Sequence, residues 1–174
     1  MGDDDSDTPV TLTDAGDTIT GGAGDDYIFA TTTFPPGVVE FDPNVLSGNE
    51  GDDVVFGSGG NDTILGGLGN DNLQGSVGHD LIYGYLSNLA LSETDSNRLF
   101  GDVGSDVLHG SDGVDYLYGS NGTDHLNGRA GDDELYGEDG NDLLDGGPDD
   151  DRCDGGPGND GSYPGTCETE IGFP

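Results

Sequence analysis

GDVGSDVLH, GSDGVDYLY, GSNGTDHLN, GRAGDDELY, GEDGNDLLD: the stretch from Gly101 to Asp145 divides into five consecutive nonapeptides. Position one is Gly in every copy, position four is Gly, position six is Asp and position eight is Leu. Four invariant positions in five copies make the nonapeptide the unit of structure. Gly at position four lets the backbone turn through positive φ without a Cβ clash. The rest of positions one to six is mostly Gly, Asp, Asn and Ser, the residues of turns. Positions seven to nine set one apolar side chain between two outward ones, the period of a very short strand. One such strand buries almost nothing, so the copies must stack.

Stacking has an electrostatic consequence. It lines up the Asp of position six into columns, and like charges in a column repel unless something neutralises them. A hard divalent cation with oxygen ligands does so, and Ca2+ accepts six to eight oxygens in flexible geometry, with turn carbonyls available to complete the shell.

The register extends in both directions. Residues 21–29 (GGAGDDYIF) fit with Asp26 at six and Ile28 at eight. Residues 48–83 hold four more copies, with Asp53, Asp62, Asp71 and Asp80 at six and Val55, Ile64, Leu73 and Ile82 at eight. Downstream, 146–154 (GGPDDDRCD) supplies Asp151, and 155–163 (GGPGNDGSY) supplies Asp160 but puts Ser162 at the apolar position. Residues 12–20 (LTDAGDTIT) lack both glycines and read as an N-terminal cap, with Asp17 and Ile19 in register. Residues 1–11 are expected to be a flexible leader, 12–163 the repeat domain and 164–174 a tail.

Two breaks interrupt the pattern. Residues 30–47 span 18 positions, the length of two nonapeptides, and contain Pro35-Pro36-Gly37 and Pro43. They either continue the stack through a degenerate coil or bulge out and resume in phase. The Pro-Pro part favours the bulge, while Val45 and Leu46 are placed to return to a sheet. Residues 84–100 are 17 long and parse as an eight-residue insertion, 84–91, followed by a degenerate copy, 92–100. Tyr85, Leu86, Leu89 and Leu91 are candidates for a short helical turn or flap over the insertion.

The repeat resembles GGxGxDxUx, the haemolysin-type calcium-binding nonapeptide of RTX (repeats-in-toxin) proteins, a calcium-binding parallel β-helix repeat. The resemblance implies an all-β, right-handed parallel β-roll. Two nonapeptide half-turns make one 18-residue coil, one strand goes to each of two sheets, and calcium sits between turns. It also implies ligands from the sixth-position Asp together with backbone carbonyls near positions two and four. On this sequence the carboxylates are Asp26, Asp53, Asp62, Asp71, Asp80, Asp106, Asp115, Asp124, Asp133, Asp142, Asp151 and Asp160. The position-four glycines are Gly51, Gly60, Gly69, Gly78, Gly104, Gly113, Gly122, Gly131, Gly140 and Gly158. Pairs 18 apart are Asp53/Asp71, Asp62/Asp80, Asp106/Asp124, Asp115/Asp133, Asp124/Asp142, Asp133/Asp151 and Asp142/Asp160, so about seven ions or more are expected. By this count Asp53 has an intact neighbour on one side only.

Composition points the same way. The 174 residues carry 3 Lys plus Arg against 37 Asp plus Glu, a formal charge of −34, and only 30% are hydrophobic. Such a chain cannot fold on a conventional core, so a metal must supply much of the folding free energy. The charge excludes nucleic acid as a direct partner, because counterion release needs a basic surface. No stretch approaches the roughly 20 apolar residues of a membrane helix.

Cys153 and Cys167 are the only cysteines. A disulfide between them would pin the tail over the open end of the stack and protect an exposed edge. It would close a loop of about 15 residues, worth roughly 3 kcal/mol in the chain-entropy model, and it fits an oxidising, extracellular or cell-surface compartment.

Sorting the outward positions by coil collects Arg98, Phe100, Tyr116, Tyr118, Glu134, Tyr136 and Arg152 on one face. Tyr and Arg are enriched at binding hot spots, which makes this a candidate face for a glycan or cell-surface ligand, although aromatics also suit strands and stack rung on rung. His109 and His125 fall on neighbouring rungs of the other face and are expected to be plain surface residues. There is no nucleophile–base pair, phosphate loop or zinc signature, so the expected role is structural or binding rather than enzymatic.

Overall fold

The structure is a computed structural model that describes residues 9–11, 18–30, 42–85, 94–163, 166–167 and 169–171. Every regular element among these is a β-strand, and every pairing is parallel. The strands, numbered β1 to β17 along the chain, alternate strictly between two sheets. One sheet runs β1 (Pro9–Thr11), β3 (Tyr27–Phe29), β5 (Val54–Phe56), β7 (Asn72–Val77), β9 (Arg98–Gly104), β11 (Tyr116–Gly122), β13 (Glu134–Gly140), β15 (Arg152–Asp154) and β17 (Thr169–Ile171). The other runs β2 (Thr18–Ala23), β4 (Val45–Glu50), β6 (Thr63–Leu68), β8 (Leu81–Tyr83), β10 (Val107–His109), β12 (His125–Asn127), β14 (Leu143–Asp145) and β16 (Gly161–Ser162). Neighbours in a sheet are two apart in sequence order, as one strand per half-coil requires. The fold is the parallel β-roll that the resemblance implies.

Between the sheets lies a core one side chain wide. It consists of the position-eight residues, among them Ile28, Val55, Ile64, Leu73, Ile82, Leu99, Leu108, Leu117, Leu126, Leu135 and Leu144, all buried. Position-eight partners meet rung on rung, as Leu99, Leu117 and Leu135 do across β9, β11 and β13. Several strands run on past position nine into the next turn: Ser120 pairs with Glu138 and Asn121 with Asp139, so turn backbone stacks on turn backbone. This differs from the three-residue strands expected from the sequence, and the reason is that each turn finds an identical turn one coil away.

The breaks resolve by register. Tyr27 pairs with Val54 and Ile19 with Leu46, offsets nine longer than the regular 18, and Leu46 takes a buried core position. The first break is therefore divided: 42–47 rejoins the roll through β4, and the offset exceeds one coil by nine residues. At the second break Leu73 pairs with Leu99 and Ile82 with Leu108, offsets of 26, which places 94–100 in the roll with Leu99 at its core. The proposed flap residues Leu86, Leu89 and Leu91 lie outside the described residues, as do Asp17 and 31–41. Both ends also contribute strands. Pro9–Thr11, assigned to a leader from the sequence, pairs with β3, and Thr169–Ile171 of the tail pairs with β15.

Cys153 occupies position eight of its copy and is fully buried in the apolar row, and it is bonded to Cys167, with Cα atoms 5.8 Å apart. The disulfide thus ends the core as well as fastening the tail. Reducing it should speed hydrogen exchange in 146–163 relative to 98–127, as read by mass spectrometry; uniform exchange would contradict a capping role. Leu117→Ala, in the middle of the row, should lower the stability of the calcium-loaded protein by about 2–5 kcal/mol in denaturant unfolding.

Candidate metal centres

The sixth-position carboxylates are buried along the whole roll, from Asp26 through Asp160. Each is locked to the coil before it. The amide of Asp53 donates to Oδ1 of Asp71 at 2.9 Å, that of Asp62 to Asp80 at 2.8 Å and that of Asp106 to Asp124 at 2.8 Å. Asp115/Asp133, Asp124/Asp142, Asp133/Asp151 and Asp142/Asp160 repeat the bond at 2.8 to 2.9 Å. All seven pairs picked out by spacing are brought together. The columns also continue across the breaks, which spacing alone misses: Asp26 donates to Asp53, 27 residues on, and Asp80 to Asp106, 26 on. Asp53 therefore has carboxylate neighbours on both sides, contrary to the one-sided count, because the register of the stack resumes across the break.

The second oxygen of these carboxylates is different. Oδ2 of Asp53, Asp71, Asp80, Asp106, Asp124, Asp133, Asp142 and Asp160 is buried with no hydrogen-bond partner. The surroundings are oxygen-rich. A Cβ placed on Gly119, position one of its copy, would lie 2.6 Å from Oδ2 of Asp124 and 2.9 Å from the carbonyl oxygen of Gly137 in the next coil. The same crowding recurs at Gly101 and Gly110. Position one is therefore glycine for space, not for φ: a side chain there would fill the cradle between carboxylate and carbonyl. Position four serves both purposes. Gly69 has φ +120°, and a Cβ on it would overlap the carbonyl of Gly51 one coil away. The carbonyls of Gly60, Gly78, Gly104, Gly113, Gly122 and Gly140 approach the next position-four glycine in the same manner, at Gly78, Gly104, Gly122, Gly131, Gly140 and Gly158.

Burying acceptors against acceptors is costly for an ionised group. Burial, opposed by the backbone N–H bond and reinforced by the next carboxylate in the column, pushes Asp71 and Asp133 up to about 8. It moves Asp53 and Asp80 to about 7. For Asp124 and Asp142 the same causes give about 6. Only two things settle such a column: protons or cations. An all-oxygen donor set of carboxylates and carbonyls in a flexible turn suits a hard divalent ion such as Ca2+.

A further ladder went unseen in the sequence. Position-five side chains accept from the position-five amide of the adjoining coil: Asn70 N–H to Asp52, His79 N–H to Asn61, Ser105 N–H to Nδ1 of His79 and Asn159 N–H to Asn141. The acceptor varies among Asp, Asn and His, so no single residue type marks the position.

The outer aromatic face forms as sorted. Arg98, Tyr116, Glu134 and Arg152 make one row across β9, β11, β13 and β15, and Phe100, Tyr118 and Tyr136 make the next. The rings of Phe100, Tyr118 and Tyr136 stack with centroids 4.9 and 5.0 Å apart. Arg152 sits over Tyr136 at 5.1 Å and Arg98 over Tyr116 at 5.4 Å. His109 and His125 lie on adjacent strands but in different rows, and His109 stacks on Tyr83.

A family model described as the RTX calcium-binding nonapeptide repeat, four copies long, matches residues 13–31, 42–73, 65–88, 93–126 and 127–161, well over half of the chain. No curated protein matches the sequence.

The shifted carboxyls set a sign for pH. Their folded values lie above the unfolded value near 3.8, so the metal-free fold is fully penalised above about pH 8 and relieved as pH falls toward 5. The calcium-free chain should accordingly gain β signal in far-UV circular dichroism between pH 8 and 5, while the calcium midpoint rises because protons compete. A metal-free spectrum unchanged over that range would contradict this account.

Proposed function

The chain belongs to the RTX calcium-binding nonapeptide repeat family, and from that premise we propose that it is an extracellular structural module that folds on binding several Ca2+ ions. One observation carries this reading: the row of buried Oδ2 atoms with no hydrogen-bond partner, which at Asp53, Asp80, Asp106, Asp124, Asp133 and Asp142 share their cradle with a glycine carbonyl of the next coil. The core is one residue wide and cannot offset that row of charge. Calcium supplies the neutralising charge and the missing contacts when bound. The ligands we assign are the sixth-position carboxylates from Asp26 to Asp160, excepting the two rungs treated below, with turn carbonyls that include the position-four glycines. The chain's own share is to fix each carboxylate by its Oδ1 bond, keep the cradle free of side chains and exclude water by stacking.

An extracellular setting agrees with the disulfide, which persists in oxidising compartments, and with millimolar calcium, the range that extracellular modules use. No helix among the described residues is long and apolar enough to cross a membrane. We assign no catalytic role, since the acidic pairs serve the metal columns. A second reading, a calcium-dependent adhesin or carbohydrate-binding module, draws on the Phe100–Tyr118–Tyr136 stack with Arg98 and Arg152 at its margins. A glycan array probed with and without calcium separates the two.

Titration with calcium should convert the chelated chain cooperatively to β structure at millimolar concentration, and Mg2+ should substitute poorly because it demands tight octahedral geometry. A chelated sample with an unchanged β spectrum would overturn the reading. Asp124→Ala removes the carboxylate that accepts the amide of Asp106, midway along a column that continues to Asp142, and should raise the calcium midpoint several-fold. Asp112→Ala loses only a surface ion pair with Arg129, worth about 0–1 kcal/mol, and should leave the midpoint nearly unchanged.

A further inference from the structure

Two rungs of the ladder are built differently from the rest, and both follow a break. At position six of the copies that rejoin the roll, 39–47 and 92–100, the residue is Asn44 or Asn97 rather than Asp. Each is buried and in register. Asn97 still accepts the amide of Asp71 on its Oδ1 at 2.9 Å, as an Asp would. Its Nδ2 then lies where the other rungs have Oδ2, facing position-one Gly84: a Cβ there would be 2.8 Å from it. An acceptor has been replaced by a donor at the point where the cradle opens.

The coil beyond each Asn is altered to match. Position two of the following same-side copy is Ser58 or Ser111, each 14 residues after its Asn. Nδ2 of Asn44 donates to Oγ of Ser58 at 3.2 Å, and Nδ2 of Asn97 to Oγ of Ser111 at 3.1 Å. Position two elsewhere has positive φ, as at Asn49, Gly67, Ser76, Asp102, Ser120, Arg129 and Glu138, but Ser58 and Ser111 do not share it. Their amides turn inward instead, onto Oδ2 of Asp62 and Asp115 in their own copies. Oδ1 of Asp62 accepts both the amide and Nδ2 of Asn44, at 2.8 and 3.0 Å, and Oδ1 of Asp115 accepts the amide of Asn97 at 2.7 Å. Oγ of Ser111 also donates to Oδ2 of Asp115 at 3.1 Å. Both oxygens of Asp62 and Asp115 are thus satisfied, whereas eight other sixth-position carboxylates keep a bare Oδ2.

We infer that the Asn44–Asp62 and Asn97–Asp115 rungs hold no calcium, and that an Asn–Ser–Asp hydrogen-bonded clamp takes the ion's place where a coil rejoins the roll after extra residues. The physical reason is that a cation needs converging oxygens. Here an amide N–H₂ and a backbone N–H point into the same space, repel a cation and supply the contacts it would otherwise make. The same substitution pair at both breaks, 53 residues apart from Asn44 to Asn97, ties the clamp to the break rather than to chance. The Asn97 clamp divides its column, with Asp26, Asp53 and Asp71 on one side and Asp133 and Asp151 on the other joined by a rung whose closure is independent of the metal; the Asn44 clamp precedes the run from Asp80 to Asp160.

The inference rests on the calcium reading above, and one experiment separates the two. A crystal structure of the calcium-loaded protein, with anomalous differences, should show ions at Asp106/Asp124 and Asp124/Asp142 and none at Asn97/Asp115 or Asn44/Asp62. An ion at either Asn rung overturns the clamp and leaves the calcium reading standing; a structure with no ion on any rung overturns both. Independently, Asn97→Asp combined with Ser111→Gly restores the donor set and the left-handed turn. By native mass spectrometry the double variant should carry one more calcium than the parent at saturation. An unchanged count, alongside a reduced count for Asp124→Ala, would count against the clamp.

Discussion

One bond organises this molecule: a backbone N–H of one coil donating to a carboxylate oxygen of the next. It runs from Asp53 to Asp71, from Asp62 to Asp80 and onward through both columns. The bond fixes the rise from coil to coil and the phase of every strand. It also commits a charged group to the interior, with its other oxygen turned toward carbonyls. Cohesion and repulsion thus come from one side chain. The apolar row between the sheets adds one buried residue per nonapeptide, and the charge of the column is what the proposed Ca2+ would neutralise.

The glycines rank by what a side chain would meet. At the position-one glycines a Cβ would meet the carboxylate of the same copy and, at most of them, the carbonyl of the next coil. At position two the backbone is left-handed, and yet Asn49, Ser76, Asp102, Ser120, Arg129 and Glu138 occupy it. A left-handed L-residue costs about 1–2 kcal/mol, which the stack absorbs because the side chain itself stands clear. Steric exclusion is absolute and conformational cost is negotiable, and the repeat conserves its letters in that order.

The regular copies made most of this legible. Positions six and eight carried the buried carboxylates and the buried row from Ile28 to Leu144, because each has one residue type tied to one task, and the family resemblance implied the two sheets and the pairing of carboxylates 18 apart. The breaks were harder. Eighteen residues at 30–47 are equally compatible with a degenerate coil and with a bulge, and the structure divides them, since Leu46 can fill a core position while only nine residues are needed to make the coil. Asn44 and Asn97 are not legible as members of the columns because they depart from the Asp of position six, nor are Ser58 and Ser111, because position two varies everywhere. The position-five ladder was invisible for a related reason: any acceptor suffices. Strands β1 and β17 carry no repeat signature and form because the outermost rungs offer unpaired edges.

The way the roll absorbs its two breaks bears on how such a chain changes over generations. Offsets of 27 and 26 residues replace the usual 18, yet the strands beyond each break fall into the same columns. Registration is renewed at every coil by the carboxylate–amide bond, so an error in length at one corner is not transmitted to the next. A solenoid with this property is a permissive scaffold for genetic drift: segments of arbitrary length can enter at a corner, and whole coils can be duplicated or lost, without rewriting the rest of the gene. Extras of nine and eight residues, neither of which disturbs the columns beyond, are what such tolerance permits.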